Sequence, residues 1–318
     1  MTAVQIVEVG PRDGFQNIGP FIPTETKIAV IRELAAAGVK RMEITSFVSP
    51  RAIPQLADAG EVLADVLAQG RVVPQVLVPN ARYGQKAITA GARFLSYVIS
   101  VSESHSRSNV RATPDEALAD YARLVAQAPD GLRMRFNLAT AFHCPFEGVT
   151  PASAVLAILG RALEICPDAE ICLCDTTGRG EPAQVAELFE AAMARFPAVS
   201  AWAMHAHDTY GHGTANVRAS YDQGVRVFDS AIGGLGGCPY APGASGNVAT
   251  EDLVSLFQDY GVETGVDLVA LAPIAAAVQA LPGANCSRNG IGVEDGDKNK
   301  AESKLKIDSM LTTAYESS

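Results

Sequence analysis

His205 and His207 stand two residues apart in the segment Met204-His205-Ala206-His207-Asp208. On a β-strand that spacing turns both imidazoles to one face, because successive side chains alternate. Neutral imidazole is the commonest side-chain ligand for a metal ion. About thirty residues later Gly233-Gly234-Leu235-Gly236-Gly237 leads into Cys238, and Asn247 follows at the end of Gly243-Ala244-Ser245-Gly246. The glycines suit a hinge or lid, and the segment lacks the Gly-Lys-Ser/Thr ending of a phosphate loop. A thiol there, with an ordinary pKa of about 8.5, is a candidate acid, base or nucleophile; a structural cysteine is the plainer reading. For Asn247 the plainer reading is a helix N-cap.

Near the amino terminus, Gly10-Pro11-Arg12-Asp13-Gly14 has the composition of a turn. Asp13 can bind a cation, and Arg12 can donate to an oxygen that becomes negative during a reaction, an effect worth roughly 3 kcal/mol or more. Asp13, His205, His207 and Asn247 together offer a carboxylate, two imidazoles and an amide carbonyl. That set, with room for water, favours Mg²⁺ or Mn²⁺ over a closed, thiolate-rich zinc site. Asp208 has two readings, a carboxylate that orients a ligand histidine or a helix N-cap. Glu43 shares its strand face with Thr45, and a supporting role there ranks ahead of a catalytic one.

These residues need elements to bring them together. Strand-like runs fall at Gln5–Val9, Arg41–Ser46, Val72–Val78, Phe94–Val101, Arg133–Leu138, Glu170–Cys174, Ala201–His207 and Val225–Ala231, with helical patterns between them. Thr24 precedes a helix striped by Ile28, Ile31 and Leu34 and ended by Gly38. Thr113-Pro114-Asp115-Glu116 reads as an N-cap, a first-turn proline and a capping-box Glu, and Thr150-Pro151 repeats that start. Eight strands alternating with helices predict an α/β fold, a parallel (β/α)8 TIM barrel with additional C-terminal helices near 250–260 and 268–281. We expect one domain over 1–288 and a polar tail over 289–318 that is accessory or partly disordered. In such barrels chemistry gathers at the carboxyl ends of the strands. Arg12, Asp13, Gln16, Ser46, Asp175, His205, His207 and the glycine segment all map there.

The 318 residues carry a formal charge of −10 and are 48% hydrophobic. Acidity argues against a nucleic-acid partner, and no apolar run is long enough for a membrane span. The chain enters an apolar strand at Val4, leaving no room for a secretory leader; a cytoplasmic protein is expected. The six cysteines are not spaced as a disulfide framework. Cys172-x-Cys174 lacks a second pair for zinc and reads as part of a buried strand.

The segments Gly10 to Asn17, Glu43 to Pro50, Cys144-Pro145-Phe146-Glu147-Gly148, His205 to Gly211 and Gly234 to Asn247 resemble, in the same order, those of the 3-hydroxy-3-methylglutaryl-CoA lyase family. That family sits within a broader group of metal-dependent barrel lyases and Claisen-type condensing enzymes, and the similarity runs from about residue 4 to residue 260. The resemblance implies an acyl-CoA substrate, cleaved to acetyl-CoA and acetoacetate. It implies a divalent cation, Mg²⁺ or Mn²⁺, on Asp13, His205, His207 and Asn247. Arg12 would stabilise an enolate oxygen, Cys238 would protonate carbon, and His205 would relay protons. Gln16, Glu43 and Asp175 would shape the substrate-binding mouth. The group that first takes the hydroxyl proton is left open, and a homodimer or higher homo-oligomer is the expected assembly.

Phe15 and Phe146 stand where the family usually has Leu and Tyr. Asn137 to His143 lacks the glycine and cysteine usual before Cys-Pro. These departures bear on the acyl group, so a related 3-hydroxyacyl-CoA lyase, acting on citramalyl-CoA or a longer 3-hydroxyglutaryl-CoA, is the alternative. A condensing synthase would carry a glutamate-bearing segment in place of Cys-Pro-Tyr, and a non-catalytic barrel would not need the whole set.

Overall fold

The computed structural model describes residues 3–236 and 246–284. Cys238, Cys286 and the polar tail lie outside the described residues. The first strands are β1 (Gln5–Glu8), β2 (Arg41–Ser46), β3 (Val73–Val78), β4 (Phe94–Ser100) and β5 (Arg133–Ala139). A short antiparallel hairpin follows, β6 (His143–Cys144) with β7 (Gly148–Val149). Then come β8 (Glu170–Asp175), β9 (Trp202–Ala206) and β10 (Val227–Ser230). The eight long strands are parallel and close into a barrel in the order β1-β10-β9-β8-β5-β4-β3-β2. The expected (β/α)8 architecture is present.

Helices α1 (Thr24–Ala36), α2 (Ala59–Gln69), α3 (Ala81–Thr89), α4 (Glu103–Val110) and α5 (Pro114–Ala126) serve the first half of the barrel. The second half has α6 (Ala152–Ile165), α7 (Pro182–Arg195), α8 (Gly213–Asp222), α9 (Thr250–Asp259) and α10 (Leu268–Gln279). None of them is long and apolar enough to cross a membrane. Their apolar stripes, with Leu34, Leu63, Tyr121, Leu159, Phe189 and Phe257 fully buried, pack on the outward faces of the strands.

Two helix starts differ from expectation. Thr113 makes the full capping box with Glu116. At α1, however, Pro23 holds the N-cap position and Thr24 is already helical. At α6 the N-cap position falls on Pro151, because the Thr150 hydroxyl instead donates to the Thr140 carbonyl at 2.7 Å. The β6–β7 hairpin is too short to leave a period in the sequence.

Inside the barrel the strand period segregates polar from apolar side chains. On β2, Met42 and Ile44 alternate with Arg41 and Glu43. Arg41 is buried at the amino-terminal end of the barrel. It donates to both carboxylate oxygens of Glu170 at 2.6 and 2.7 Å and to Gln75 at 2.6 and 3.0 Å, with its guanidinium 4.3 Å above the Phe94 ring. A buried charge is tolerable only with such complete pairing. The carboxyl end of the barrel is left open for a site.

Candidate active site

β1 ends in a π-helical turn, Gly10–Gly14, in which the amides of Arg12, Asp13 and Gly14 all converge on the Val9 carbonyl. Turns of this kind are uncommon and collect at functional sites. This one delivers two consecutive charged side chains to the barrel mouth. Arg12 pairs with Asp13 on one side and with Glu43 on the other. Burial works against its charge, but the two carboxylates outweigh it and hold the guanidinium protonated.

His205 leaves the end of β9 and His207 follows it, their rings 5.1 Å apart. A carboxylate oxygen of Asp13 and one ring nitrogen from each histidine lie within 4.8 Å of one another. Asn247 completes the group. It is bridged to His207 through the backbone, and its side-chain amide donates to Asp13 Oδ2 at 2.7 Å and to the Leu235 carbonyl at 3.0 Å. It is not a helix cap, since α9 starts at Thr250 after Ala249.

The donor set fits a hard divalent cation. The buried Asn247 Oδ1 and His207 Nδ1 have no hydrogen-bond partner among the described residues, an arrangement that is costly unless something else satisfies them. Burial, the largest influence on Asp13, pushes its carboxyl up; Arg12 foremost, then both histidines, outweigh it and hold it well below the usual range. His207 is pushed down to about 4 by burial and then by the charge of His205, leaving a neutral ring with a lone pair. A carboxylate, a carbonyl oxygen and the neutral ring of His207 suit such an ion; burial pulls His205 down but Asp229 outweighs it, so His205 gives up a proton on joining them.

The site opens into a cavity of about 340 Å³. Arg12, Asp13, Gln16, His205 and His207 all line it, and Gln16 donates to Asp13 Oδ1 at 2.9 Å. Two residues expected at the mouth are placed elsewhere. Glu43 is buried beneath the lining, held by Arg12 and by Gln75 at 2.7 Å. Asp175 turns into the loop after β8, where its Oδ2 accepts from the Gly180 amide at 3.0 Å, and burial raises its carboxyl to about 6. Asp208 accepts from the Gly213 amide at 2.8 Å, at the first residue of α8, but the N-cap position itself belongs to His212.

Several site residues escape the sequence reading. Asp229, on β10, takes His205 Nδ1 at 3.1 Å and is the carboxylate that orients a histidine. A lone Asp inside the apolar run Val225–Ala231 was the available signal. Glu8 accepts from the amides of Gly10 and Ile232 and from the Thr250 hydroxyl, at 2.7, 2.9 and 2.6 Å. It thereby pins the starts of the Arg12 turn, the glycine segment and α9. His105, Asn109 and Asn137 line the cavity from β5 and the helix after β4. In the barrel order that side is opposite β1, β10 and β9.

Gly236 carries the glycine segment past the cluster with φ +114°, and a Cβ there would sit 2.6 Å from Asn247 Nδ2. Only glycine adopts that backbone without strain. Gly236→Ala is expected to displace Asn247 and weaken Mn²⁺ binding by about tenfold or more, as read by calorimetric titration. Unchanged affinity would show that Asn247 does not hold the ion.

A model of the HMGL-like family matches residues 3–278. The chain is 42% identical over 296 residues to hydroxymethylglutaryl-CoA lyase of Pseudomonas mevalonii, covering 92% of this chain and 97% of that protein. It is 41% identical over 282 residues to (R)-citramalyl-CoA lyase of Chloroflexus aurantiacus, covering 85% and 88%. The crystal structure of an HMG-CoA lyase from Brucella melitensis superposes with a TM-score of 0.84 at 41% identity, covering 89% of this chain and 99% of that one.

Proposed function

Because the chain belongs to the HMGL-like family, we propose that it is a divalent-metal-dependent carbon–carbon lyase that cleaves 3-hydroxy-3-methylglutaryl-CoA to acetyl-CoA and acetoacetate. The observation that carries this reading is the Asp13–His205–His207 cluster beside Arg12 in one cavity, in a chain 42% identical to such a lyase along almost its whole length.

Asp13, His205, His207 and Asn247 would hold the cation, Mg²⁺ or Mn²⁺. When bound, it supplies Lewis acidity that lowers the pKa of the substrate's C3 hydroxyl. Removal of that proton lets the C2–C3 bond break. Its electron pair passes to C2, C3 becomes the ketone of acetoacetate, and the thioester fragment leaves as an enolate. Arg12, held charged between two carboxylates, faces the cavity and stabilises the enolate oxygen. Gln16 keeps Asp13 in place while orienting substrate. His205 relays protons on the resemblance alone, as Cys238 protonates C2. Glu43 and Asp175 act on the substrate through Arg12 and the β8 loop.

Cys238→Ser is expected to slow solvent-deuterium incorporation into acetyl-CoA, and unchanged incorporation would remove the thiol from the mechanism. The 41% identical citramalyl-CoA lyase favours a second reading, in which the C3 carboxylate arm is one methylene shorter. Incubation with both thioesters decides between them. Acetoacetate as the faster product supports the first reading, pyruvate the second, and cleavage of neither overturns both.

A further inference from the structure

The side chains that hold Arg12 and those that hold His205 belong to one ring inside the barrel, hydrogen-bonded at every link but the one between His205 and Asp13. Arg12 engages Glu43 Oε1. Glu43 Oε2 accepts from Gln75 Nε2 at 2.7 Å, and the same nitrogen donates to Ser96 Oγ at 3.1 Å. Ser96 Oγ also accepts from Asn137 Nδ2 at 2.7 Å, and Asn137 Oδ1 accepts from Arg135 Nε at 2.9 Å. Arg135 Nη2 donates to both oxygens of Asp229 at 2.9 Å, and Asp229 Oδ2 meets His205 Nδ1 at 3.1 Å. The ring closes without a hydrogen bond, where Asp13, within 4.8 Å of the His205 ring nitrogen, pairs with Arg12. Gln75, Ser96 and Arg135 are wholly buried, and the other links nearly so except Asp13, which is part-exposed at the cavity.

The charged members set the direction of every bond. Gln75 Oε1 is taken by Arg41, so its NH₂ must face Glu43 and Ser96. Asn137 turns its oxygen to Arg135, so its NH₂ must face Ser96. Asp229, ionised against Arg135, can only accept, so His205 donates its Nδ1–H, and in the neutral ring Nε2 then keeps its lone pair for the cavity. Chains of such bonds polarise one another and lock the side chains they link.

We propose that Gln75, Ser96, Asn137, Arg135 and Asp229 are positioning residues, a directed ring that sets the Nδ1–H tautomer of His205 and holds Arg12 in the same frame. The proposal rests on the reading of His205 as a cation ligand. Ser96 is the informative link, because it lies on β4, across the barrel from the cluster, and touches neither end.

Full-length wild-type protein, Ser96→Ala and Asp229→Asn are compared by Mn²⁺ calorimetry, by steady-state kinetics and by ¹⁵N-histidine NMR, which reports each tautomer. Wild type should show His205 as Nδ1–H. Asp229→Asn turns an NH₂ toward the ring while its oxygen stays on Arg135; it should flip the tautomer and weaken Mn²⁺ binding by about 10- to 100-fold. Ser96→Ala, which takes the acceptor from both Gln75 and Asn137, should lower kcat and Mn²⁺ affinity by about fivefold each, with KM unchanged. The double variant should lose less than the product of the two. Ser96→Ala that binds Mn²⁺ and turns over like wild type, with only a lower Tm, overturns the ring; so does an Asp229→Asn that keeps Nδ1–H. If Asp229→Asn does not fold, Ser96→Ala, which removes a single hydroxyl, still decides. Wild-type protein that shows Nδ1–H but binds no Mn²⁺ supports the ring and overturns the cation reading alone.

Discussion

Arg12→Gln is expected to lower turnover by on the order of 10²- to 10³-fold while changing KM by less than about threefold. The split follows from where the guanidinium sits. It is buried, committed to Asp13 and Glu43, and presented to the cavity with its charge intact. Such a group gains little by meeting a neutral thioester carbonyl and much by meeting an enolate oxygen, so its loss falls on kcat. Gln keeps some hydrogen-bonding capacity but no charge. Lys keeps the charge, yet one ammonium cannot reproduce the fork that reaches both carboxylates; Arg12→Lys should therefore recover only part of the loss. Removing Arg12 also leaves Glu43 buried without its cation, which costs roughly 3–5 kcal/mol when a buried pair is broken. The Arg12→Gln/Glu43→Gln double variant separates the two effects. It should regain stability and stay as slow as the single variant. Near-wild-type turnover in either variant would remove Arg12 from the mechanism.

The parts of the site visible in the sequence were those carried by strand period and strand ends. The His205/His207 pair and the Arg12–Asp13 turn could be read because alternation and turn chemistry act over two to five residues, and the barrel then puts their strands' carboxyl ends at one mouth. What could not be read was which partner each carboxylate takes. Asp229 lies 24 residues from His205 and 94 from Arg135, so its role exists only once β10 is parallel to β9. For the same reason Asp175 could be placed at a strand end and Glu43 inside the barrel, but neither could be aimed. Glu43 is claimed by Gln75, 32 residues away, and Asp175 by the amide of Gly180. Asp208 is ambiguous in the sequence because it follows His207 and precedes a helix, and its contact with the Gly213 amide exists only once the loop before α8 is folded. Thr150 shows the same limit in a helix start: its side chain was drawn to the Thr140 carbonyl, which no local pattern encodes.

Chelation is expected to abolish turnover, and added Mg²⁺ or Mn²⁺ to restore it. The reason is electrostatic. Without a cation, the cluster is a carboxylate held between two imidazoles, with an amide oxygen and a ring nitrogen buried and unpartnered among the described residues. Each such group costs on the order of 1–3 kcal/mol, so loading should also raise Tm, by an increment that grows with the logarithm of cation concentration above Kd. That gives a readout independent of catalysis. His207→Ala removes one neutral donor and should weaken Mn²⁺ binding more than Gln16→Ala, which only loosens Asp13. Asp13→Asn should weaken it most. It removes the cluster's carboxylate and leaves Arg12 with Glu43 alone, so the variant loses the ion and misplaces the guanidinium together. Full activity in chelator, or an Asp13→Asn protein that binds Mn²⁺ as wild type does, would show that these side chains meet for some purpose other than holding a metal.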